Sequence, residues 1–219
     1  MNGPSEIAPA DLDRSVEQAK NGVKLRPSMT KHRCVNSNYF EASKVRNSYI
    51  DMLIRKGLSL AQANLFLRTH RSYLNISDSI VDSINRNIAW CFDRYDFIPQ
   101  RYNTDVFGAY YTGKEIDTSE KEYEYHYRKA KPDHPVSYTV FSLEVAAKLA
   151  DLRPIPAIQA AITHAANYTL CQRIATALRA VCDGLAVPSV RNPRGNCCPI
   201  FSRLSLTPGA WVKEGEFNP

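Results

Sequence analysis

RYNTDVFGAYYTGKEIDTSEKEYEYH, residues 101–126, is the stretch of this sequence that says most about its fold. Arg101 is followed ten residues later by Tyr111 and eleven residues after that by Glu122. The glutamate lies in the pattern Thr-Ser-x-x-Glu, and the spacing around it predicts a short helix over 117–128 that Thr118 caps. The residues before this helix mix turn formers with aromatic side chains, so the stretch is not purely helical.

Helical and extended patterns are intermixed along the rest of the chain. Residues 1–38 are polar with little periodicity, and they are predicted to be a partly ordered arm. Strands are predicted at 65–70, 136–143, 185–190 and 197–204. Helices are predicted over 41–57, over 80–91 with Ser77 as the cap, and, with a break near Asn167, over 157–182. The absence of regular βαβ spacing favours a single α+β domain over 61–219, preceded by an arm and helix over 1–60.

The bulk properties exclude several classes of protein. The 28 basic and 22 acidic residues give a formal charge of +6, but these charges are dispersed, so direct nucleic-acid binding is not expected. No apolar run reaches the roughly 18–20 residues of a membrane span, and the N-terminus has no signal-peptide pattern, which predicts a cytoplasmic protein. The six cysteines are expected to be mostly reduced, and the adjacent Cys197 and Cys198 are expected to point to opposite faces of a strand. Without a CxxC or HExxH pattern no metal site is expected.

Several short motifs in a shared order resemble the RES-domain family. The resemblance runs from about Leu65 to Phe201, although Gln100 stands where the family has a glycine and Cys171 where threonine is usual. The matching pieces are Asn64-Leu-Phe-Leu-Arg68, Arg101-Tyr102-Asn103, Tyr110-Tyr111, Thr118-Ser-Glu-Lys-Glu122, Tyr168-Thr-Leu-Cys-Gln172 and Val187-Pro188-Ser189 with Gly195 and Asn196.

This resemblance implies a bacterial toxin that consumes NAD as its substrate, needs no further cofactor, and has a fold similar to that of ADP-ribosyltransferases. Arg101 and Arg68 would bind the pyrophosphate, because the planar guanidinium matches phosphate oxygens. Tyr111, with Tyr110 as its competitor, would stack on the cationic nicotinamide. Glu122 would stabilise the positive charge that develops on the ribose, while Glu120 and Glu124 would project to other faces of the helix. His126, one turn after Glu122, is interpreted as covering the edge of the core, with a hydrogen bond to Glu122 as the alternative.

Two further residues complete the set of candidates. Ser189 would orient the ribose or the glutamate by hydrogen bonds, and Asn196 is a weaker polar candidate in the turn that follows. Every candidate also has a purely structural explanation: exposed arginines, a core tyrosine, a solvated helix face, or a strand-end serine bonded to the backbone.

Three functions are compatible with these residues. The first is cleavage of the nicotinamide–ribose bond of NAD with water or phosphate as acceptor, by a glycohydrolase or a phosphorylase. The second is mono-ADP-ribosyl transfer to a protein, and the third is a non-catalytic module that binds a nucleotide or a protein. In either enzymatic case the resemblance implies a partner, an antitoxin or an immunity protein, that blocks the NAD site. The chain would act in the cytoplasm of its own cell or of a target cell.

Overall fold

The structure is a computed structural model that describes residues 8–36, 52–69, 80–93, 97–164 and 168–218. It forms one mixed domain of the α+β class, as the irregular order of patterns predicts. The elements are α1 (Pro9–Asn21), β1 (Lys24–Asn36), α2 (Leu60–Thr69), α3 (Ile80–Phe92), β2 (Tyr110–Gly113), α4 (Ile116–Ala130), β3 (Val136–Asp151), α5 (Pro156–Thr163), α6 (Thr169–Leu178), β4 (Gly184–Pro188), β5 (Asn196–Ile200), a 3₁₀ turn (Arg203–Ser205) and β6 (Leu206–Phe217).

A six-stranded sheet in the order β1-β2-β5-β4-β3-β6 organises the domain, and β1 also pairs with β3. Strands β1, β2, β5, β4 and β3 therefore close into a ring, and β6 lies outside it on β3. The long strand β3 is antiparallel to β1 and β6 and parallel to β4 over residues 149–151. Because β1 meets β2 at the pair His32 and Gly113, the ring brings residues near the end of β1 beside the start of α4.

Most buried apolar residues of the sheet belong to two clusters on its opposite faces, and a third, smaller cluster contains Cys34, Tyr138 and Val140. On one face, side chains of β3 and β4 pack against α1, α5 and α6. On the other face, side chains of β1, β2 and β3 pack against α3. The adjacent residues Cys197 and Cys198 contact different clusters, which confirms the prediction that they point to opposite faces. All six cysteines are free.

Several predicted elements are confirmed. Helix α3 buries Ile84 and Ile88 on one face, although the proposed cap at Ser77 lies outside the described residues. The alanine-rich segment forms the two helices α5 and α6, and β4 lies where a strand is expected. Gly57 has a φ of 93°, the left-handed conformation expected at the end of the helix predicted over 41–57, whose first part lies outside the described residues.

The prediction of a partly ordered arm is wrong for residues 8–36. Helix α1 buries Leu12, Val16 and Ala19 in the first cluster. Strand β1 pairs with β3 from Lys24 to Asn36, so it belongs to the same sheet as the rest of the domain. Of residues 24–35 in β1, only Lys31, Cys34 and Val35 are buried, so the backbone hydrogen bonds to a distant strand contribute much of the order of this segment. A polar composition does not reveal that source of order.

The strand predicted at 65–70 is also wrong, because Leu60–Thr69 is helical. The sequence contains the signal for this helix in Ser59 and Gln62. The Gln62 backbone N–H donates to the Ser59 hydroxyl at 3.2 Å, and the Ser59 N–H donates to Oε1 of Gln62 at 2.9 Å. This reciprocal pair is a capping box, which marks a helix start.

Two further details, both in the second half of the chain, differ from the predictions. Helix α4 begins at Ile116 with Glu115 at its cap position, so Thr118 does not cap it; Thr118 is fully buried and donates to Oε2 of Glu115 at 2.9 Å. The last predicted strand ends at Ile200 instead of residue 204, and strands β2 and β6 were not predicted.

Candidate active site

A cavity of about 180 Å³ opens where β1, β2, α4 and the end of β4 meet. Three of the six predicted site residues line it: Arg101, Tyr111 and Glu122. The residues that line the cavity are Arg33, Cys34, Gln100, Arg101, Tyr102, Tyr111, Thr112, Gly113, Ser119, Glu122, Tyr123, His126, Tyr168, Val187, Pro188, Val190, Arg191 and Cys197. Among them are three arginines and one carboxylate, so the cavity carries an excess of positive charge.

Glu122 is the acidic group of this cavity. It lies on α4, where the neighbouring residues Glu120 and Glu124 project away from the cavity, as their spacing predicts. Oε1 of Glu122 accepts a hydrogen bond of 2.6 Å from the hydroxyl of Ser189. The thiol of Cys197 lies 3.7 Å from the same oxygen. The carboxylate is therefore fixed at the cavity wall by a residue 67 positions away in the sequence.

Ser189 acts from behind the cavity wall, because it is only 5 % exposed and does not line the cavity. Its oxygen accepts hydrogen bonds from the backbone N–H groups of Asn192 at 2.9 Å and Arg191 at 3.2 Å. Because these two donors occupy the acceptor side of the hydroxyl, its proton is directed to Glu122. Ser189 is thus placed to position the carboxylate, which is one of the two roles predicted for it.

The turn that follows Ser189 is attached directly to α4. The side-chain amide of Asn192 donates to Thr118 at 3.0 Å and to Asp117 at 3.1 Å. Gly195 must be a glycine, because a Cβ there would lie 2.1 Å from the Thr118 hydroxyl. The buried Thr118 therefore joins the turn to the helix that carries Glu122.

Tyr111 lines the cavity, whereas its predicted competitor Tyr110 is fully buried on the other face and donates to Asn87 at 2.7 Å. The Tyr111 hydroxyl donates to Oδ1 of Asn103 at 3.0 Å and accepts from the backbone N–H of Tyr102 at 2.8 Å. Burial raises the pKa of Tyr111 well above its usual range. The ring is therefore held in a fixed place as a neutral aromatic surface, not as an acid or a base.

Arg101 reaches the cavity from the loop before β2. Its Nη1 donates to the carbonyl oxygens of His164 at 2.7 Å and Ile162 at 3.3 Å, at the C-terminal end of α5. The guanidinium carbon lies 4.7 Å from the centre of the Tyr168 ring. Carbonyl groups at a helix C-terminus carry partial negative charge, so they hold the cation in place while it remains charged.

The structure adds three basic residues to the site that the sequence did not identify. Arg33 comes from β1, which was predicted to be an arm, and Arg191 lies 3.3 Å from the centre of the Tyr125 ring. His126 was interpreted as a residue covering the core edge, but it lines the cavity. Burial lowers the pKa of His126, Arg191 and Arg33 act in the same direction, and Glu122 opposes them.

Of the two remaining predicted site residues, one lies outside the cavity and the other has a side chain outside the described part of the structure. Asn196 does not line it; its side-chain oxygen accepts from Arg153 at 3.2 Å, and its backbone N–H donates to Glu115 at 3.2 Å. Its side chain is therefore bonded to Arg153 and not to a group that lines the cavity. Arg68 lies in α2, and its side chain is outside the part of the structure that is described.

No group of histidine, cysteine, aspartate or glutamate side chains in the described ranges has the arrangement of a metal site. In the same part of the chain, no helix is long and apolar enough to cross a membrane.

The family model of the RES domain matches residues 94–208, which is more than half of the chain. The chain belongs to the RES-domain family. The match includes Arg101, Tyr111, Glu122 and Ser189, and it leaves β1 and α1 outside. Among solved structures, the crystal structure of the M. tuberculosis MbcT–MbcA toxin–antitoxin complex has a similar fold, with a TM-score of 0.52, 14 % sequence identity and 94 % of each chain covered. No curated protein matches the chain.

Proposed function

We propose that this chain is a toxin enzyme that degrades NAD by cleaving its nicotinamide–ribose bond. The observation that carries the proposal is the carboxylate of Glu122, oriented by Ser189 in a cavity that also holds Tyr111 and three arginines. Membership of the RES-domain family and the fold shared with a toxin–antitoxin complex support it.

The chemistry of this cleavage suits the groups in the cavity. As nicotinamide leaves, positive charge develops on the ribose, and a carboxylate at a fixed position stabilises that charge more than it stabilises the substrate. Glu122 is the group in this role. Its hydrogen bond from Ser189 reduces the reorganisation needed when the charge develops, because the carboxylate is already oriented.

The remaining groups suit two other parts of the substrate, the nicotinamide ring and the phosphates. The face of the Tyr111 ring can contact the cationic nicotinamide, since its hydroxyl is bonded on the side of Asn103 and Tyr102. Arg101 can bind a phosphate of the dinucleotide, and its anchoring to α5 carbonyl groups holds it ready to do so.

The acceptor of the ADP-ribosyl group is water or phosphate in this proposal. The excess of positive charge among the cavity-lining residues favours an additional anion, which phosphorolysis requires and hydrolysis does not. The experiment is incubation of the protein with NAD, with and without phosphate, while nicotinamide and the ribose product are identified by mass. Nicotinamide with ADP-ribose identifies a glycohydrolase, and a phosphorylated product seen only with phosphate identifies a phosphorylase.

A matched pair of variants tests the role of Glu122. Glu122→Gln should abolish nicotinamide release, because an amide cannot stabilise the developing charge. Glu124→Gln changes the same residue type on the same helix, at a position paired with Arg128 outside the cavity, and should leave the rate unchanged. Full activity of Glu122→Gln would refute the site. No nicotinamide release by the unmodified protein, even with cell extract as acceptor, would refute the function.

We further propose that a protein partner, an antitoxin or an immunity protein, controls this toxin by covering the cavity. The structural neighbour of similar fold was crystallised as a toxin–antitoxin complex. The positive charge of the cavity favours an acidic segment of such a partner. The product of a neighbouring gene should form a complex with the chain and inhibit nicotinamide release. A complex that leaves the rate unchanged would contradict the proposal.

A further inference from the structure

Cys197 is a cavity residue to which neither the family pattern nor the proposed cleavage assigns a role. It lies on β5, between β2 and β4, where its backbone is in register with Gly113 on one side and Val187 on the other. Its side chain lines the cavity, whereas that of the adjacent Cys198 packs in the cluster on the opposite face. Because β5 is an inner strand, the position of the Cys197 sulfur is set by the sheet and does not depend on a loop.

The thiol of Cys197 lies at the carboxylate on which the proposed cleavage depends. Its S–H donates to Oε1 of Glu122 at 3.7 Å, and the Ser189 hydroxyl donates to the same oxygen at 2.6 Å. A ribose carbon whose positive charge is stabilised by this oxygen must lie in contact with it. The sulfur therefore lies beside the carbon that becomes electrophilic when nicotinamide leaves.

This thiol is protonated and lies next to a base. Burial raises the pKa of Cys197 well above its usual range, and the negative charge of Glu122 adds to this effect. The thiol therefore keeps its proton in the free protein and is a poor nucleophile there. When a cationic ribose forms in the cavity, Glu122 is placed to accept that proton as the sulfur attacks. Sulfur is intrinsically more nucleophilic than the oxygen of water, and a fixed sulfur does not have to diffuse to the ribose.

Two other atoms indicate that a ligand enters this cavity. Nε of Arg33 and the hydroxyl of Tyr102 belong to residues that line it, and both atoms are buried without a hydrogen-bond partner among the described residues. Buried polar groups are nearly always satisfied in folded proteins, so an exception indicates a water, an ion or a ligand. The cavity wall thus carries a sign of occupancy that does not depend on Cys197.

We propose that Cys197 is a self-modification site, at which the thiol accepts the ADP-ribosyl group of NAD in competition with water or phosphate. The inference rests on the proposed function, because it requires cleavage of the same bond. The bond between the ribose carbon and the nicotinamide nitrogen breaks, and nicotinamide leaves with the electron pair. The sulfur forms a new bond to that carbon, and its proton passes to Glu122. The products are nicotinamide and a chain that carries a thioglycoside, and no oxidant or other co-reactant is needed.

The test is incubation of the full chain with NAD in phosphate-free buffer, in which water is the only competing acceptor. Nicotinamide release is followed together with the mass of the intact chain, and peptide mapping locates any added group. We expect a single ADP-ribosyl group on Cys197. The rate of nicotinamide release should fall in proportion to the modified fraction, because the group fills the cavity. Mercuric ions should remove the group and neutral hydroxylamine should not, since hydroxylamine cleaves an ester of Glu122 but not a thioglycoside.

Cys197→Ala and Cys198→Ala form a matched pair on adjacent residues. Cys198 is buried and does not line the cavity, so Cys198→Ala should be modified to the same extent as the parent protein. Cys197→Ala should lose the modification and release nicotinamide at a rate that stays constant. Free ADP-ribose in place of NAD should give no adduct, because it has no nicotinamide to lose. An adduct that forms from ADP-ribose alone would show spontaneous chemistry and overturn the proposal.

Failure of this inference and failure of the proposed function give different results. Nicotinamide release without an increase in mass, or with the group on Glu122 or any residue other than Cys197, would overturn the self-modification and leave the cleavage intact. This mapping uses the parent protein, so it does not depend on the folding of a variant. No nicotinamide release would refute the cleavage and the self-modification together.

Discussion

Replacement of Ser189 by alanine tests the central contact of the site. The hydroxyl donates to Glu122 at 2.6 Å and accepts from the N–H groups of Asn192 and Arg191 at 2.9 and 3.2 Å. Ser189→Ala removes all three hydrogen bonds at once from a position that is 5 % exposed. The carboxylate then loses its fixed orientation, and two backbone donors lose their acceptor.

The expected magnitudes follow from these contacts. A hydrogen bond to a charged group contributes about 1.5–3 kcal/mol, and leaving a buried N–H without an acceptor costs about 1–3 kcal/mol. Since the turn can relax and admit water, we expect a net loss of about 2–4 kcal/mol in the free energy of unfolding. For a chain of this size that corresponds to a fall of about 4–16 °C in melting temperature. Loss of the carboxylate's orientation should lower kcat by about 10–100-fold.

The assay is nicotinamide release at saturating NAD, together with thermal unfolding monitored by circular dichroism. Ser15→Ala is the matched control, because Ser15 is also buried but donates only to the Asp11 carbonyl oxygen, within α1. It should lower the melting temperature slightly and leave kcat unchanged. If Ser189→Ala is less stable as expected but has an unchanged kcat, the hydroxyl supports only the turn, and the positioning of Glu122 is refuted.

Three further predictions concern residues around the cavity. Gly113→Ala should lower the free energy of unfolding by about 1–3 kcal/mol, because a Cβ would lie 2.4 Å from the hydroxyl and 2.9 Å from the backbone nitrogen of Ser119. Thermal unfolding measures this change. The control is Gly22→Ala, which should have little effect because the nearest atom to its Cβ would be 3.5 Å away. Burial lowers the pKa of His126, so the unfolded chain binds its proton more readily and stability should fall as the pH drops below about 6.5. His126→Asn should flatten that part of the curve of unfolding free energy against pH, and an unchanged slope would contradict the assignment. Burial raises the pKa of the Cys197 thiol well above its usual range. Iodoacetamide at neutral pH should therefore label Cys197 more slowly in the folded protein than in urea, as followed by peptide mass analysis. Equal labelling rates would show that the thiol is accessible and contradict the prediction.

The parts of the fold that the sequence predicts well are those whose order comes from local pattern. Helix α3 buries Ile84 and Ile88, which are one turn apart, and the alanine-rich segment forms two helices. Local spacing and composition indicate both elements. Strand β1 has no comparable pattern. Its order comes from pairing with β3, more than a hundred residues later, and such long-range pairing leaves little trace in local composition. The capping box formed by Ser59 and Gln62 is a local signal for the start of a helix, and it outweighs the alternation at 65–70 that predicts a strand.

The same distinction applies to the site. The family pattern predicted Arg101, Tyr111 and Glu122, and all three line one cavity. Ser189 was predicted through the same pattern, and the structure adds that its contact is with Glu122. The pattern could not reveal Arg33, because that residue reaches the cavity only when β1 joins the sheet. The pattern also predicted Asn196, but its position in the turn says nothing about the direction of its side chain, which the structure places outside the cavity lining.

Several hydrogen-bond partners of the charged groups in the cavity are uncharged, which suits the proposed cleavage. Arg101 donates to carbonyl oxygens at the end of α5, and Arg33 donates to the carbonyl oxygen of Tyr111. A carbonyl oxygen orients a guanidinium without cancelling its charge, whereas a carboxylate in the same place would remove the attraction for an anionic substrate. Glu122 is oriented in the same way by the uncharged hydroxyl of Ser189. Charges that are fixed by neutral groups need no rearrangement when new charge develops on the substrate, and this preorganisation is the main means by which a protein site lowers the barrier to bond cleavage.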